Sequence, residues 1–224
     1  MTARRLPFRL CLVTDRKRCG GSEGLLGKVR AALRGGVDAV QLREKDLDGG
    51  ELFELARRLL EECRARGALL FVNDRIDVAL AVGADGIHLP ARSFPVPEAR
   101  RLVGPERWIG ISTHSESEVR AAARDGADFA VLGPVYPTPG KGPPLGTEPL
   151  RLACRDSGIP VLAIGGILPS RVSEVLAAGA RGVAVIGAVL DRDDPERAAS
   201  ELRKALSSSA APGSDARRRE RADP

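Results

Sequence analysis

Where one apolar run of the chain stops, an amide and two cations stand at alternate positions: Gln41, Arg43 and Lys45, in Val40-Gln41-Leu42-Arg43-Glu44-Lys45. Side chains on a strand repeat every second residue, so the three are expected to share one face of a strand end. Charge at the end of a buried strand is costly unless a partner satisfies it, and an anionic ligand is such a partner. A salt-bridged strand end is the plainer alternative. Recurrence favours the ligand: other apolar runs lead into Asn73 and Asp74, into His88, into Ser112 and His114, and into a segment carrying Thr138 and Lys141.

Such tips must be held by repeated elements, and the chain repeats. Gly36-Val37-Asp38-Ala39-Val40 returns as Gly83-Ala84-Asp85-Gly86-Ile87, as Gly126-Ala127-Asp128-Phe129-Ala130 and as Gly179-Ala180-Arg181-Gly182-Val183, at spacings of 47, 43 and 53 residues. Each spacing is about twice a compact strand-plus-helix unit, so four copies imply eight units. The remaining strands fall where that requires: Arg9 to Thr14, Ala68 to Val72, Trp108 to Ile111 and Pro160 to Ile164. Helical patterns separate them at Leu25–Leu33, Leu52–Arg66, Ile76–Val82, Pro97–Val103, Glu116–Arg124, Pro149–Arg155 and Pro169–Ala178. Eight alternating units predict an α/β fold, a single-domain (β/α)8 TIM barrel over residues 1–206. An open doubly wound sheet is the alternative, disfavoured because no GxGxxG follows the first strand. From Ser207 the apolar pattern fails, and residues 207–224 read as a disordered polar tail.

Composition narrows the partners. The 224 residues are 43% hydrophobic but 3% aromatic, which predicts an aliphatic core of the kind that fills parallel sheets. The 35 basic and 30 acidic residues are interspersed, and one Trp, one Tyr and five Phe offer little stacking for bases. Nucleic acid is therefore not expected as a partner, and Arg217 to Arg219 read as part of a solvated tail. Cys11, Cys19, Cys63 and Cys154 have no metal-binding spacing, and no secretory signal is evident, which reads as reduced thiols in a cytoplasmic protein. No apolar stretch approaches the roughly 20 residues that span a membrane. The sequence is compatible with a homo-oligomer without fixing one.

In barrels of this kind the C-terminal ends of the strands build the working face, and the loops after strands seven and eight commonly hold phosphate. Here those strands end in Gly165-Gly166 and Ile186-Gly187, where backbone N–H groups can approach an anion. The loop from Gly133 to Gly146, rich in Pro and Gly, is expected to be a mobile cover carrying Lys141 over the mouth.

Taken together, Gln41-Leu42-Arg43-Glu44-Lys45, Asn73-Asp74-Arg75, Ser112-Thr113-His114, Gly133-Pro134-Val135-Tyr136-Pro137-Thr138 with Lys141, and Ala163-Ile164-Gly165-Gly166-Ile167 resemble the thiamine phosphate synthase and TenI family, in order, from residue 9 to about 190. The resemblance implies an enzyme that joins 4-amino-2-methyl-5-hydroxymethylpyrimidine pyrophosphate to a thiazole phosphate, giving thiamine phosphate and pyrophosphate. It further implies that Arg43, Lys45, Asn73 and Lys141 hold the pyrophosphate; Ser112 and Thr138, polar residues at the strand tips, are expected to bind substrate. Gln41 would contact the pyrimidine, Asp74 would ligate Mg2+, and Gly166, Ile186 and Gly187 would receive the thiazole phosphate. Two departures stand out. After His88 the run is Leu89-Pro90-Ala91-Arg92-Ser93, so Ser93 replaces the second magnesium carboxylate and weakens the expected site, and Gly140 replaces a threonine before Lys141. Arg92, beside that change, is expected to meet the pyrophosphate directly. The Leu-Pro-x-x-Ser run is similar to the TenI branch, which tautomerises a thiazole phosphate carboxylate with His114 as acid/base; a non-catalytic barrel binding the same phosphates is a third alternative.

Overall fold

The computed structural model describes residues 5–208. Its elements run β1 (Leu10–Val13), α1 (Ser22–Arg34), β2 (Ala39–Leu42), α2 (Gly49–Arg64), β3 (Leu69–Asn73), α3 (Ile76–Val82), β4 (Gly86–Leu89) and α4 (Val96–Val103). They continue as β5 (Trp108–Thr113), α5 (Glu116–Arg124), β6 (Phe129–Leu132), α6 (Thr147–Arg155), β7 (Val161–Ile164), α7 (Val172–Ala177), β8 (Gly182–Val185), α8 (Gly187–Leu190) and α9 (Pro195–Ser208). All neighbours pair in parallel in sequence order, and β8 closes on β1 with Leu10 opposite Val183. The predicted eight-unit barrel is what the chain forms.

The repeated junction has a physical role. The carboxylate of Asp38, at the entry of β2, accepts the N–H groups of Arg9 and Leu10 at 3.1 and 2.9 Å. Asp85 accepts Leu70 N–H at 2.8 Å, and Asp128 accepts Ile109 N–H at 2.7 Å. Each acid satisfies a strand-start donor that the ladder leaves open, and so ties an odd strand to the even strand after it. The fourth junction carries Arg181, which keeps the backbone bond common to all four, its N–H to Val161 O at 2.8 Å, but has no carboxylate to add.

Local chemistry also moves some boundaries from those expected. The helix predicted from Leu52 begins at Gly49, because Asp48 accepts Glu51 N–H at 2.9 Å while the Glu51 carboxylate receives Asp48 N–H, a reciprocal cap. Its apolar stripe, Leu52, Leu55, Ala56, Leu59, Leu60 and Cys63, is buried against the sheet. Two helices follow β8 that periodicity did not flag, α8 and α9; α9 extends through Ser207 and Ser208, so the tail cannot begin at 207. The rest of the predicted tail, with Arg217 to Arg219, lies outside the described residues.

Between strands and helices the core is aliphatic, as expected, but the barrel interior is not. Phe8, Phe71 and Phe129 meet there pairwise, with ring centroids 5.3 Å apart in each pair, and Trp108 joins the same cluster. Glycines on neighbouring strands make room: a Cβ at Gly86 would stand 2.7 Å from the Phe71 ring, and one at Gly110 would overlap the Phe129 ring. The few aromatics are concentrated where a closed barrel needs bulk at its axis. The polar layer lies directly above them.

Candidate active site

Gln41, Asn73, His88 and Thr113 are buried polar residues at the C-terminal ends of β2, β3, β4 and β5. Gln41 Nε2 donates to Asn73 Oδ1 at 3.0 Å, and His88 Nε2 lies 2.9 Å from Ser112 Oγ, so two polar pairs bridge the mouth. Buried amides and rings paired in this way are held in one orientation.

The strand predicted to run on to Lys45 stops at Leu42. Arg43 N–H bonds the Thr14 hydroxyl at 2.8 Å, and Glu44 turns inward to 7% exposure, accepting Arg16 N–H at 3.0 and 3.2 Å. Burial raises the Glu44 carboxyl above its usual range, opposed by Thr14 and the Arg16 backbone. Arg43 is half-buried and Lys45 exposed, so the three residues share an end of the barrel rather than a pleat face. The Arg43 charge adds to burial in lowering the His88 ring on β4. Among the described residues neither Arg43, Lys45 nor Lys141 is seen in an ion pair.

Beside this lie Asp74 and Ser93. Asp74 is the one non-glycine residue among those described with a left-handed backbone, φ 67°, and its N–H bonds His88 O at 3.0 Å. Such a conformation in a non-glycine residue is costly and clusters at functional sites. The Ser93 hydroxyl donates to Asp74 Oδ1, which brings the two side chains together. Arg92 is exposed on the same loop.

The loop from Gly133 to Gly146 is tied at both ends. Val135 N–H and Tyr136 N–H bond Ile164 O and Gly165 O at 2.9 and 3.1 Å, and Gly146 N–H returns to Val135 O at 3.0 Å. The close approach explains two glycines: a Cβ at Gly133 would meet Ile164, and one at Gly165, where φ is 96°, would meet Pro134 at 2.6 Å. Thr138 Oγ1 donates to Tyr136 O at 2.9 Å, Lys141 N–H closes a turn on Thr138 O, and Pro139 to Pro144 are exposed. His114, also exposed, has Nδ1 2.7 Å from Gly133 O. A carbonyl can only accept, so Nδ1 carries the proton, Nε2 is the acceptor of the neutral ring, and the imidazole anchors the base of the loop.

The sequence matches the family model described as thiamine monophosphate synthase over residues 10–189. The chain belongs to that family. It is 46% identical over 190 residues to the thiamine-phosphate synthase of Moorella thermoacetica, covering 84% of this chain and 90% of that one. To the thiamine-phosphate synthase of Roseiflexus castenholzii it is 45% identical over 194 residues, covering 85% of each. The solved thiamine phosphate pyrophosphorylase of Pyrococcus furiosus superimposes with a TM-score of 0.83 at 38% identity, covering 91% of this chain and 98% of that one.

Within this family member two arginines border the glycine ends of β7 and β8, and neither belongs to a repeated motif. Arg171 donates to Gly166 O at 2.5 Å and lies 4.6 Å over the Tyr136 ring. Arg18 bonds both Asp191 oxygens at 2.9 and 2.7 Å, and its guanidinium lies 3.4 Å from where a Cβ on Gly187 would stand. The Arg18–Asp191 pair and the Arg171–Tyr136 stacking join segments far apart in sequence, which leaves no local signal.

His88 sets a measurable pH dependence for this thiamine monophosphate synthase family barrel. Burial, helped by the Arg43 charge, pushes its ring down to about 3 from 6.5. The unfolded chain therefore takes up a proton that the native chain refuses. Stability is full above about pH 6.5 and falls as pH drops below it, by up to about 1.4 kcal/mol per pH unit, until the native ring titrates near 3. Urea midpoints at pH 7, 6 and 5 are expected to fall more steeply for the wild type than for His88→Gln, and parallel curves would refute the assignment.

Proposed function

We propose that the protein is a thiamine-phosphate synthase, joining the pyrimidine methyl pyrophosphate to the thiazole phosphate with release of pyrophosphate. The observation that carries this reading is the mouth itself: half-buried Arg43 stands at the same barrel end as the Gln41–Asn73 pair and the Asp74–Ser93 pair, in a chain of this family. In this reading Gln41, held by Asn73, orients the pyrimidine. Arg43, Lys45, Asn73 and Lys141 take the pyrophosphate, and exposed Arg92 adds charge from the loop after β4. Cations at that place stabilise the negative charge that grows on a departing pyrophosphate. Ser112, held by His88, and Thr138 line the path between the two substrates. Gly166, Ile186 and Gly187 offer backbone N–H groups to the thiazole phosphate, which would compete with Asp191 for Arg18. In this reading the thiazole nitrogen is the nucleophile, so no covalent enzyme intermediate is needed. We place the reaction in the cytoplasm, in keeping with four free cysteines; among the described residues no helix is long and apolar enough to cross a membrane.

The residues fit a magnesium ion held largely by its substrate. Mg2+ needs only one or two carboxylates when phosphates complete its shell, and Asp74 supplies one with the Ser93 hydroxyl against it. When bound, the ion would neutralise pyrophosphate charge, and Asp74 and Ser93 would hold it. Ser93→Asp is expected to restore a two-carboxylate site and lower the Mg2+ concentration for half-maximal rate by about tenfold, or 1.4 kcal/mol. Rates measured against Mg2+ concentration check this, and an unchanged or higher requirement would separate residue 93 from the metal.

A tautomerase is the second reading, favoured by Ser93 in the Leu89-Pro90-Ala91-Arg92-Ser93 run and by His114 Nε2 as an available acceptor. One assay decides between the two. Purified protein with both substrates and Mg2+ is expected to yield thiamine phosphate; no product together with isomerisation of the thiazole carboxylate selects the tautomerase, and tight phosphate binding without either selects a binding protein.

A further inference from the structure

The end of the barrel opposite the catalytic mouth carries a second concentration of positive charge, in the one unit where the Gly-x-Asp repeat breaks. At the first and third junctions the acid also meets an arginine from a helix, Asp38 with Arg203 and Asp128 with Arg100, both at 2.6 Å. At the fourth the acid is replaced by Arg181. Beside it a cavity of about 600 Å³ opens, bordered by Arg5, Arg9 and Arg181 on one side and by Ile159, Val161 and Leu176 on the other, with Cys154 in its wall. The volume suits a small organic ligand. Arg5 and Arg9 come from the segment whose Leu6 and Phe8 plug the barrel bottom.

The three guanidinium groups are partly pre-oriented. Arg9 Nε donates to Arg181 O at 3.1 Å, and an Arg181 terminal nitrogen donates to Leu6 O at 3.2 Å, which leaves other N–H groups of both forks for a ligand. None of the three is seen in an ion pair among the described residues. Asp38 is the acid that faces them, and it is already engaged with two backbone N–H groups and Arg203. Burial, and repulsion from Arg9 and Arg5, depress Arg181 below the usual arginine value, with Asp38 opposing. A phosphate or diphosphate would relieve that repulsion and accept fork-like bonds, while the aliphatic wall would receive an apolar body attached to it.

We infer that this cavity is a second binding site, for a phosphate or diphosphate ester, at the N-terminal end of the barrel. It is independent of the reaction proposed above and lies at the other ends of β7 and β8, the strands whose C-terminal tips carry Gly165, Gly166 and Gly187. Inorganic pyrophosphate is the probe. Calorimetric titration of the full chain at fixed ionic strength is expected to show two equivalents bound. Arg181→Gln removes one or weakens it at least about tenfold, with kcat/KM of the synthase reaction unchanged, whereas Arg43→Ala affects only the other. Because Arg181 also braces Leu6, two further measurements do not depend on that variant folding. Arg5→Gln, at an exposed position, is expected to weaken the same equivalent. Saturating pyrophosphate is expected to slow alkylation of Cys154 in the wild type, followed by mass spectrometry, while equal ionic strength from chloride does not. A single equivalent abolished by Arg43→Ala, or Cys154 alkylation that ignores pyrophosphate, would overturn the site while leaving the synthase reading intact.

Discussion

Arg43→Ala is expected to lower kcat/KM for the pyrimidine pyrophosphate by about 10²- to 10³-fold, the usual cost of removing one preorganised group from developing charge. The fold should hardly notice. What Arg43 gives the structure is its backbone N–H to Thr14 Oγ1, which alanine keeps, and its guanidinium is seen in no ion pair among the described residues. Its side chain is half-buried at the barrel end, and its charge helps to lower the His88 ring two strands away. A half-buried cation at the mouth with no ion pair among the described residues is one available to a ligand. Arg43→Lys should recover only part of the rate, because an ammonium offers a point charge where a guanidinium offers a planar fork. Steady-state kinetics with both substrates, alongside melting curves, make the check: activity within threefold of the wild type would remove Arg43 from the pyrophosphate. A loss of activity matched by a large loss of melting temperature would make its role structural.

What could be read from the sequence followed from periodicity. The Gly-x-Asp junctions recur because each barrel pair faces the same problem, an open N–H at the start of an odd strand, and Asp38, Asp85 and Asp128 solve it the same way. The polar tips were legible for a similar reason, since Gln41, Asn73, His88 and Ser112 follow apolar runs and converge once the barrel closes. Contacts between distant segments left no trace. Arg18 and Asp191 are 173 residues apart, and Arg16 N–H meets Glu44 across two units, so nothing local announced that Glu44 would be buried or Arg18 would flank Gly187. The aromatic axis was hidden too: five Phe look negligible as a fraction until three of them meet at one point. In the loop from Gly133 to Gly146, Gly133 serves close approach to β7, a role that composition does not distinguish from mobility.

Gly110→Ala tests how that axis supports the chemistry above it. Gly110 lies in β5, opposite His88 of β4 and Phe129 of β6 in the parallel register. An added Cβ would overlap the Phe129 ring and stand 2.8 Å from His88 Nδ1, and neither neighbour can retreat far, since Phe129 is wedged between Phe8 and Phe71 and His88 Nε2 is tied to Ser112 Oγ. Overpacking of this kind costs about 1–3 kcal/mol, and the upper end is expected here, which for a chain of this size lowers Tm by roughly 5–10 °C. Activity should fall with it, because relief of the clash through His88 breaks its bond to Ser112. The cause can be isolated. Phe129→Leu alone removes aromatic bulk from the axis and destabilises, but in the Gly110→Ala background it also removes the obstacle. The double variant is therefore expected to be more stable than the sum of the two single changes predicts, by about 1 kcal/mol or more. Strict additivity in urea unfolding would mean that Gly110 is required for its backbone rather than for the space it leaves, and the glycine–aromatic pairing inferred for the barrel axis would fail with it.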